Sequence, residues 1–194
     1  MDVILLGLNI LIIGGDRREV ELYLHLKKIG ANVHLYGFEK YPHLENISVS
    51  DNLIASIKLS QVIITPLMGI DANGEIYTPY AKEKVYLNEQ NILRAINPRT
   101  LLIAGHIWPA LKEILIQNNI LVCETREMDE ISVPGAIPTA EGAIQVAMEN
   151  TESTIHNSKV LVLGYGRCGS ILAHTLKALG AEVTVAVRRK KVLS

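Results

Sequence analysis

The chain has 194 residues, with nineteen Lys and Arg against twenty Asp and Glu and a net charge of -1. It therefore lacks the cationic excess that a nucleic-acid module concentrates against phosphates. Hydrophobic residues at 48% and a mean hydropathy of +0.23 supply the apolar surface for a packed core and exclude disorder. Two widely spaced cysteines, Cys123 and Cys168, fall outside any CxxC pattern, so neither a disulfide framework nor a metal site is expected, and the compartment expected is a reducing, cytoplasmic one.

The first thirteen residues are apolar but have neither a basic start nor a small-residue cleavage site, and they run into Gly14-Gly15-Asp16 as a buried strand does. No apolar run reaches about 18 residues, so no membrane span is expected. Residues 10–14 (strand, then glycine) open a pattern that continues as an amphipathic stretch to Gly30 and a second apolar run. Further strands are expected at residues 61–65, 100–104 and 120–122. The Asn73-Gly74 pair marks a turn or hairpin, and so elaborate a loop after a strand suggests a ligand-facing edge. Helices are expected at residues 84–96 and 108–117, and another is expected to open at Ile137-Pro138-Thr139-Ala140-Glu141-Gly142 and run to about residue 150. Residues 151–158 read as a polar linker.

The opening pattern recurs at an offset of 150. Ile10-Leu11-Ile12-Ile13-Gly14 aligns without a gap on Val160-Leu161-Val162-Leu163-Gly164, and nine of the twenty-six positions from 10 to 35 are identical to their counterparts. Each copy reads as β-α-β, with Gly30 and Gly180 as helix stops. Two such units imply an α/β protein of two Rossmann-like, doubly wound parallel-sheet domains. The first is expected over residues 1–150, as the substrate and catalytic domain, and a nucleotide domain from 151. Only one β-α-β fits into residues 151–194, so the second domain reads as incomplete, and the chain as truncated.

Gly164-Tyr165-Gly166-Arg167-Cys168-Gly169 is a GxGxxG turn between strand and helix. Gly164 permits the tight turn, Gly166 the close approach of a pyrophosphate, and Gly169 close packing of the helix on the strand, while the helix N-terminus faces the phosphates. The alternative is a Rossmann domain that has lost its ligand. The next strand ends in Arg188-Arg189 where an Asp or Glu would bind the ribose hydroxyls of NAD. Two guanidiniums suit a 2′-phosphate, which favours NADP over NAD, unless they are only a solvated basic terminus.

The first copy breaks this fingerprint, because Asp16 and Glu19 stand where the second and third glycines should, and Asp16 would repel a pyrophosphate. That helix start is left for a substrate carboxylate, with Gly15, Asp16, Arg17 and Arg18 as candidate binders, or for plain capping by Asp16. Thr139 and Glu141 are candidate catalytic residues near the inter-domain cleft, with helix capping as the alternative reading. His106, beyond the C-terminal end of a strand, is a third, although no carboxylate pairs with it in sequence. Cys168 and Cys123 read as packing residues.

Three segments carry a resemblance: Ile12-Ile13-Gly14-Gly15-Asp16-Arg17-Arg18, residues 137–144 with Pro138-Thr139-Ala140-Glu141-Gly142, and residues 158–169 with the glycine turn. Together they resemble the dipicolinate synthase A-subunit family, the dehydrogenase-like component of that enzyme in spore-forming bacteria. The resemblance implies oxidation of dihydrodipicolinate, or of its hydroxylated tetrahydro precursor, to pyridine-2,6-dicarboxylate. It also implies a flavoprotein-like B subunit as partner, and a polypeptide about a hundred residues longer than this chain. A homo-oligomer is expected as well. Competing readings are a non-catalytic dinucleotide- or partner-binding module, and another two-domain dehydrogenase of the 2-hydroxyacid or adenosylhomocysteinase kind.

Overall fold

A computed structural model describes residues 5–42, 45, 47–88 and 95–188. They fall into two compact units, Met1–Arg126 and Glu127–Ser194. The sequence-based boundary at residue 150 lies later in the chain than this division. The helix between the two positions packs within the second unit, where its Ile144 shares a core with Val162, Ala173 and Leu176.

The first unit begins with β1 (Asn9–Ile13), α1 (Arg17–Lys28), β2 (Asn32–Tyr36), α2 (Leu53–Leu59) and β3 (Val62–Ile64). It continues with a small hairpin of β4 (Glu75–Ile76) and β5 (Val85–Tyr86), then β6 (Leu101–Ala104), α3 (Pro109–Gln117) and β7 (Leu121–Glu124). Five strands make one parallel sheet in the order β2-β1-β3-β6-β7. Burial on both faces explains why β1 is apolar without alternation. Leu11 and Ile13 face a core with Ile57 of α2 and Leu111 and Leu115 of α3, whereas Ile10 and Ile12 face Val20, Tyr23 and Leu26 of α1. Strand order reverses between β1 and β3, so the C-terminal ends of these strands form the topological switch point where such sheets bind ligands.

The second unit comprises α4 (Asp129–Asn150), β8 (Lys159–Leu163), α5 (Arg167–Ala178) and β9 (Glu182–Ala186). β8 and β9 form a two-stranded parallel sheet in the register of β1 and β2, Lys159 opposite Glu182 as Asn9 is opposite Asn32. Every boundary of β1, α1 and β2 recurs 150 residues later in β8, α5 and β9, which bears out the repeat to the residue. Gly30 and Gly180 close the two helices with φ of +95° and +88°, a left-handed conformation that favours glycine. One sheet face buries Val162. On the other, Leu161 and Leu163 are 59% and 79% exposed.

Two expected elements differ. Residues 85–86 are strand β5, paired antiparallel with β4, whereas the Asn73-Gly74 pair lies in a separate turn just before β4, where the Gly74 amide donates to the Asp71 carbonyl at 3.0 Å beneath the Ile70–Ile76 bridge. Of the helix expected over 84–96, residues 89–94 lie outside the described residues. The helix expected to open near Pro138 instead starts at Asp129 and runs through Pro134 and Pro138. Its buried Ala136, Ala140 and Ile144 repeat at helical spacing and outweigh the two lost backbone donors.

Candidate functional site

The two glycine turns share a backbone path and differ in what fills them. At the first, the Asp16 carboxylate accepts from the Arg18 amide at 3.0 Å, while the Glu19 carboxylate reaches back to accept from the Asp16 amide at 2.7 Å. This capping box satisfies helix-start donors from within the chain. The Tyr77 carbonyl takes the Gly15 amide at 2.8 Å, so the hairpin segment covers the turn. Asp16 as N-cap, the plainer of the two sequence readings, is therefore what the structure holds.

The expected carboxylate clamp of Arg17 and Arg18 is not preformed. Arg18 grips Asp16 with two bonds of 2.9 Å, and Arg17 points outward, 3.5 Å from Glu21. The hydrogen-bonded Arg18 guanidinium holds the Asp16 carboxyl below its ordinary value. Glu19 is buried, and burial pushes its carboxyl up.

The second turn is open. Gly164 has φ of +103°, and Gly166 begins α5 with no side-chain cap. A Cβ at Gly166 would meet nothing within 4 Å, whereas one at Gly169 would lie 2.3 Å from the Gly164 carbonyl oxygen. The third glycine thus serves packing, and the second keeps a space clear. Arg167 is held by Asp129 of α4 through an Nε bond of 2.7 Å. Tyr165 lies beside His174, with ring centroids 6.3 Å apart. The exposed Cys168 and Gly169 line a cavity of about 320 Å³ together with Thr139, Ala140 and Leu172. Arg188, after β9, is exposed, and Arg189 lies outside the described residues.

Thr139 is no N-cap. It sits well inside α4, where its hydroxyl donates to the Gly135 carbonyl at 3.1 Å, and Glu141 is an exposed residue further along the same helix. The first-turn role read for Glu141 falls with the same shift of the helix start.

His106 has the carboxylate that sequence reasoning did not find. Its Nδ1 lies 2.9 Å from Oε1 of Glu124, the last residue of the neighbouring strand β7. The same Oε1 accepts the Ile107 amide at 2.8 Å, and Lys112 of α3 binds Oε2. The Glu124 side chain is 7% exposed and that of His106 is 42% exposed. Burial opposes the charge on Glu124, yet the Lys112 ammonium, the Ile107 amide and His106 together hold its carboxyl below the ordinary value.

Loops after three strands meet here. The His106 carbonyl accepts from the Ile70 amide at 2.8 Å, the Gly105 amide donates to the Pro66 carbonyl at 3.2 Å, and the Arg126 amide donates to the Gly105 carbonyl at 3.1 Å. A Cβ on Gly105 would lie 1.8 Å from the Leu67 carbonyl oxygen, so glycine is required for this approach. The acidic end of the apolar run Leu121-Val122-Cys123-Glu124 was the available sequence signal. Among the described residues, no group of three or more His, Cys, Asp and Glu could hold a metal ion, and no helix is long and apolar enough to cross a membrane.

A parallel sheet with a switch-point reversal, followed by a second β-α-β with an open glycine turn, defines a Rossmann-type protein of dehydrogenase-like architecture. A family model for the N-terminal domain of the dipicolinate synthase A subunit matches residues 9–126. The chain is 36% identical over 187 residues to the A subunit of dipicolinate synthase from Bacillus subtilis (strain 168), covering 95% of this chain and 62% of that protein. The crystal structure of the Bacillus subtilis protein superposes with a TM-score of 0.80 at 34% identity, over 98% of this chain and 64% of that one. The crystal structure of its counterpart from Bacillus halodurans gives 0.85 at 29% identity, over 98% and 65%. The chain belongs to the dipicolinate synthase A-subunit family, and it spans 62–65% of the length of these relatives.

Proposed function

We propose that this chain carries the dinucleotide-reading and substrate-holding parts of a dipicolinate synthase A subunit, which oxidises dihydrodipicolinate or its hydroxylated tetrahydro precursor during spore formation. The observation that carries the reading is the contrast between the two turns. Glu19 and Asp16 fill the first with carboxylates of the chain itself, whereas at the second Gly166 leaves open space in front of an uncapped helix. That space, a neutral backbone cradle and the Arg167 guanidinium at the helix start fit a pyrophosphate.

Residues of the second unit would hold the cofactor. Gly164 and Gly166 shape the cradle, Tyr165, Arg167 and Cys168 form the rest of its rim, and Gly169 keeps α5 close to β8. Arg188 with Arg189 favours NADP(H) over NAD(H), because guanidiniums pair with a 2′-phosphate and no carboxylate ends β9 to take the ribose hydroxyls. When bound, the oxidised nicotinamide takes up a hydride. The first unit would present the small dicarboxylate substrate at the C-terminal edge of its sheet, with Arg17 free to swing from its long contact with Glu21 toward a carboxylate. Glu141 and Thr139 remain candidates at the second unit, the latter only by giving up its bond to Gly135.

Self-association and a flavoprotein-like partner, the B subunit, are part of the same reading. The exposed Leu161 and Leu163 favour a second one, a partner-binding module. Calorimetric titration of NADP+ and NAD+ into the 194-residue chain separates them. Saturable binding with NADP+ preferred supports the dehydrogenase reading, and no binding of either leaves the partner module.

A further inference from the structure

We propose that His106 is the proton acceptor of the oxidation and that Glu124, itself fixed by Lys112, is the positioning residue that sets which ring nitrogen does the work. This inference rests on the dehydrogenase reading above and adds to it residues of the first unit.

The argument starts from hydrogen-bond inventory. An ionised carboxylate only accepts, so a ring nitrogen 2.9 Å from Glu124 Oε1 must carry the proton, and that nitrogen is Nδ1. In the neutral ring Nε2 then holds the lone pair, on a side chain 42% exposed. Glu124 stays ionised because Oε2 binds the Lys112 ammonium and Oε1 also takes the Ile107 amide. The carboxylate is thereby anchored at both oxygens and holds the ring through Nδ1. A buried ion pair is by itself weak evidence of a stabilising role. Its position does suit a site. His106 follows β6 and Glu124 ends β7, at the C-terminal edge of a parallel sheet where ligands bind. Pro66 and Ile70 bond the backbone on either side, at Gly105 and His106, and the close approach of Leu67 requires Gly105 as that of His106 requires Gly69.

In the step assigned to it, a ring C–H bond of the substrate would break, its electron pair leaving as the hydride for which a bound oxidised dinucleotide supplies the acceptor. A proton leaves the adjacent ring atom for Nε2, and the pair it leaves behind closes the ring double bond. The substrate loses two hydrogens in all, one as the hydride that a bound oxidised dinucleotide would accept and one as the proton on Nε2, and the imidazole becomes an imidazolium facing Glu124, whose negative charge stabilises it.

Two measurements on the 194-residue chain test this, and neither needs turnover. Long-range ¹H–¹⁵N NMR reads the tautomer. Wild type is expected to show neutral His106 as a single Nδ1–H form, read on the alkaline plateau of its ring ¹⁵N shifts. Glu124→Leu is expected to revert to the Nε2–H form that free imidazole prefers, and the more conservative Glu124→Gln to give a mixture. An Nε2–H form in wild type, or no change in either variant, overturns the positioning role.

Calorimetry with pyridine-2,6-dicarboxylate, in buffers of different ionisation enthalpy, reads the proton. Wild type is expected to take up about one proton on binding this product dianion and His106→Gln none. Equal uptake in both, or no binding to wild type, overturns the assignment of His106 as acceptor. A chain that passes both tests but binds no dinucleotide would sink the dehydrogenase reading and leave the dyad standing.

Discussion

The three glycines of residues 164–169 should respond to alanine in three different ways, and the differences follow from geometry. At Gly166 the backbone has φ of −88° and ψ of −164°, open to any L-residue, and the added methyl meets nothing within 4 Å. Gly166→Ala should therefore leave stability unchanged or raise it by about 0.4–1 kcal/mol through the unfolded state. The methyl projects into the space assigned to the pyrophosphate, and a loss of one close phosphate approach amounts to at least ~1.4 kcal/mol, or tenfold in affinity. At Gly169 the methyl lands 2.3 Å from the Gly164 carbonyl oxygen, a backbone atom that cannot swing aside. Overpacking of that kind costs roughly 1–3 kcal/mol of stability. At Gly164 space is free but φ is +103°, so alanine there costs about 1–2 kcal/mol in backbone strain alone. Urea melts give the stabilities and calorimetry with NADP+ gives the affinities. Full NADP+ affinity in Gly166→Ala, or an undisturbed melt in Gly169→Ala, would refute the assignment of roles within the turn.

Glu19→Ala should destabilise the chain by about 1–2 kcal/mol, because the Asp16 amide loses its acceptor, and Glu19→Gln by clearly less, as seen in urea melts. The Glu19 carboxyl is raised by burial, so its contribution is fully present below the ordinary carboxylate range and is lost as pH rises through its elevated value; the Gln variant should lack that decline. Glu124 has the opposite sign. Its depressed value means a contribution present above the ordinary range and lost as pH falls through the depressed value, and Glu124→Gln should flatten the acid side of a stability-against-pH curve. Replacing Arg188 and Arg189 together by Ser should lower affinity for NADP+ more than for NAD+ in calorimetry, and equal losses would reduce the pair to general positive charge. Amide exchange followed by mass spectrometry should be faster in residues 160–187 than in 10–33, since β8 and β9 bury one face and β1 buries both.

The repeat was legible because both copies keep Leu, Gly, Arg and Lys at the same offsets, and local chemistry of that kind survives in a linear reading. The Asp16 cap was legible for the same reason, since Asp before an amphipathic run is a local signal. What escaped were pairings carried by the sheet. Glu124 meets His106 only because β6 and β7 are parallel neighbours with Ala104 opposite Glu124, a register that no spacing in the chain encodes. The start of α4 escaped for a different reason. Pro134, Gly135 and Pro138 are strong local breakers, and only the packing of Ala136, Ala140 and Ile144 decides against them. Arg17 and Arg18 show a third limit, because a sequence displays two cations side by side without revealing that Asp16 has already engaged one of them.

Glu19 acts toward the first turn as a ligand that is covalently part of its receptor. A resident of that sort has no dissociation constant to be outrun, so the turn at Gly14 and Gly15 stays filled whatever the nucleotide pool of the cell. The open turn at Gly166 has no such resident. On the dehydrogenase reading, its unit gains RT ln(1 + [L]/Kd) from whatever nucleotide is present, about 2.7 kcal/mol at a hundredfold excess over Kd. One chain would thus carry two copies of the same motif with different thermal responses to metabolism. The melting of the first would be blind to nucleotide supply, and that of the second would rise and fall with it.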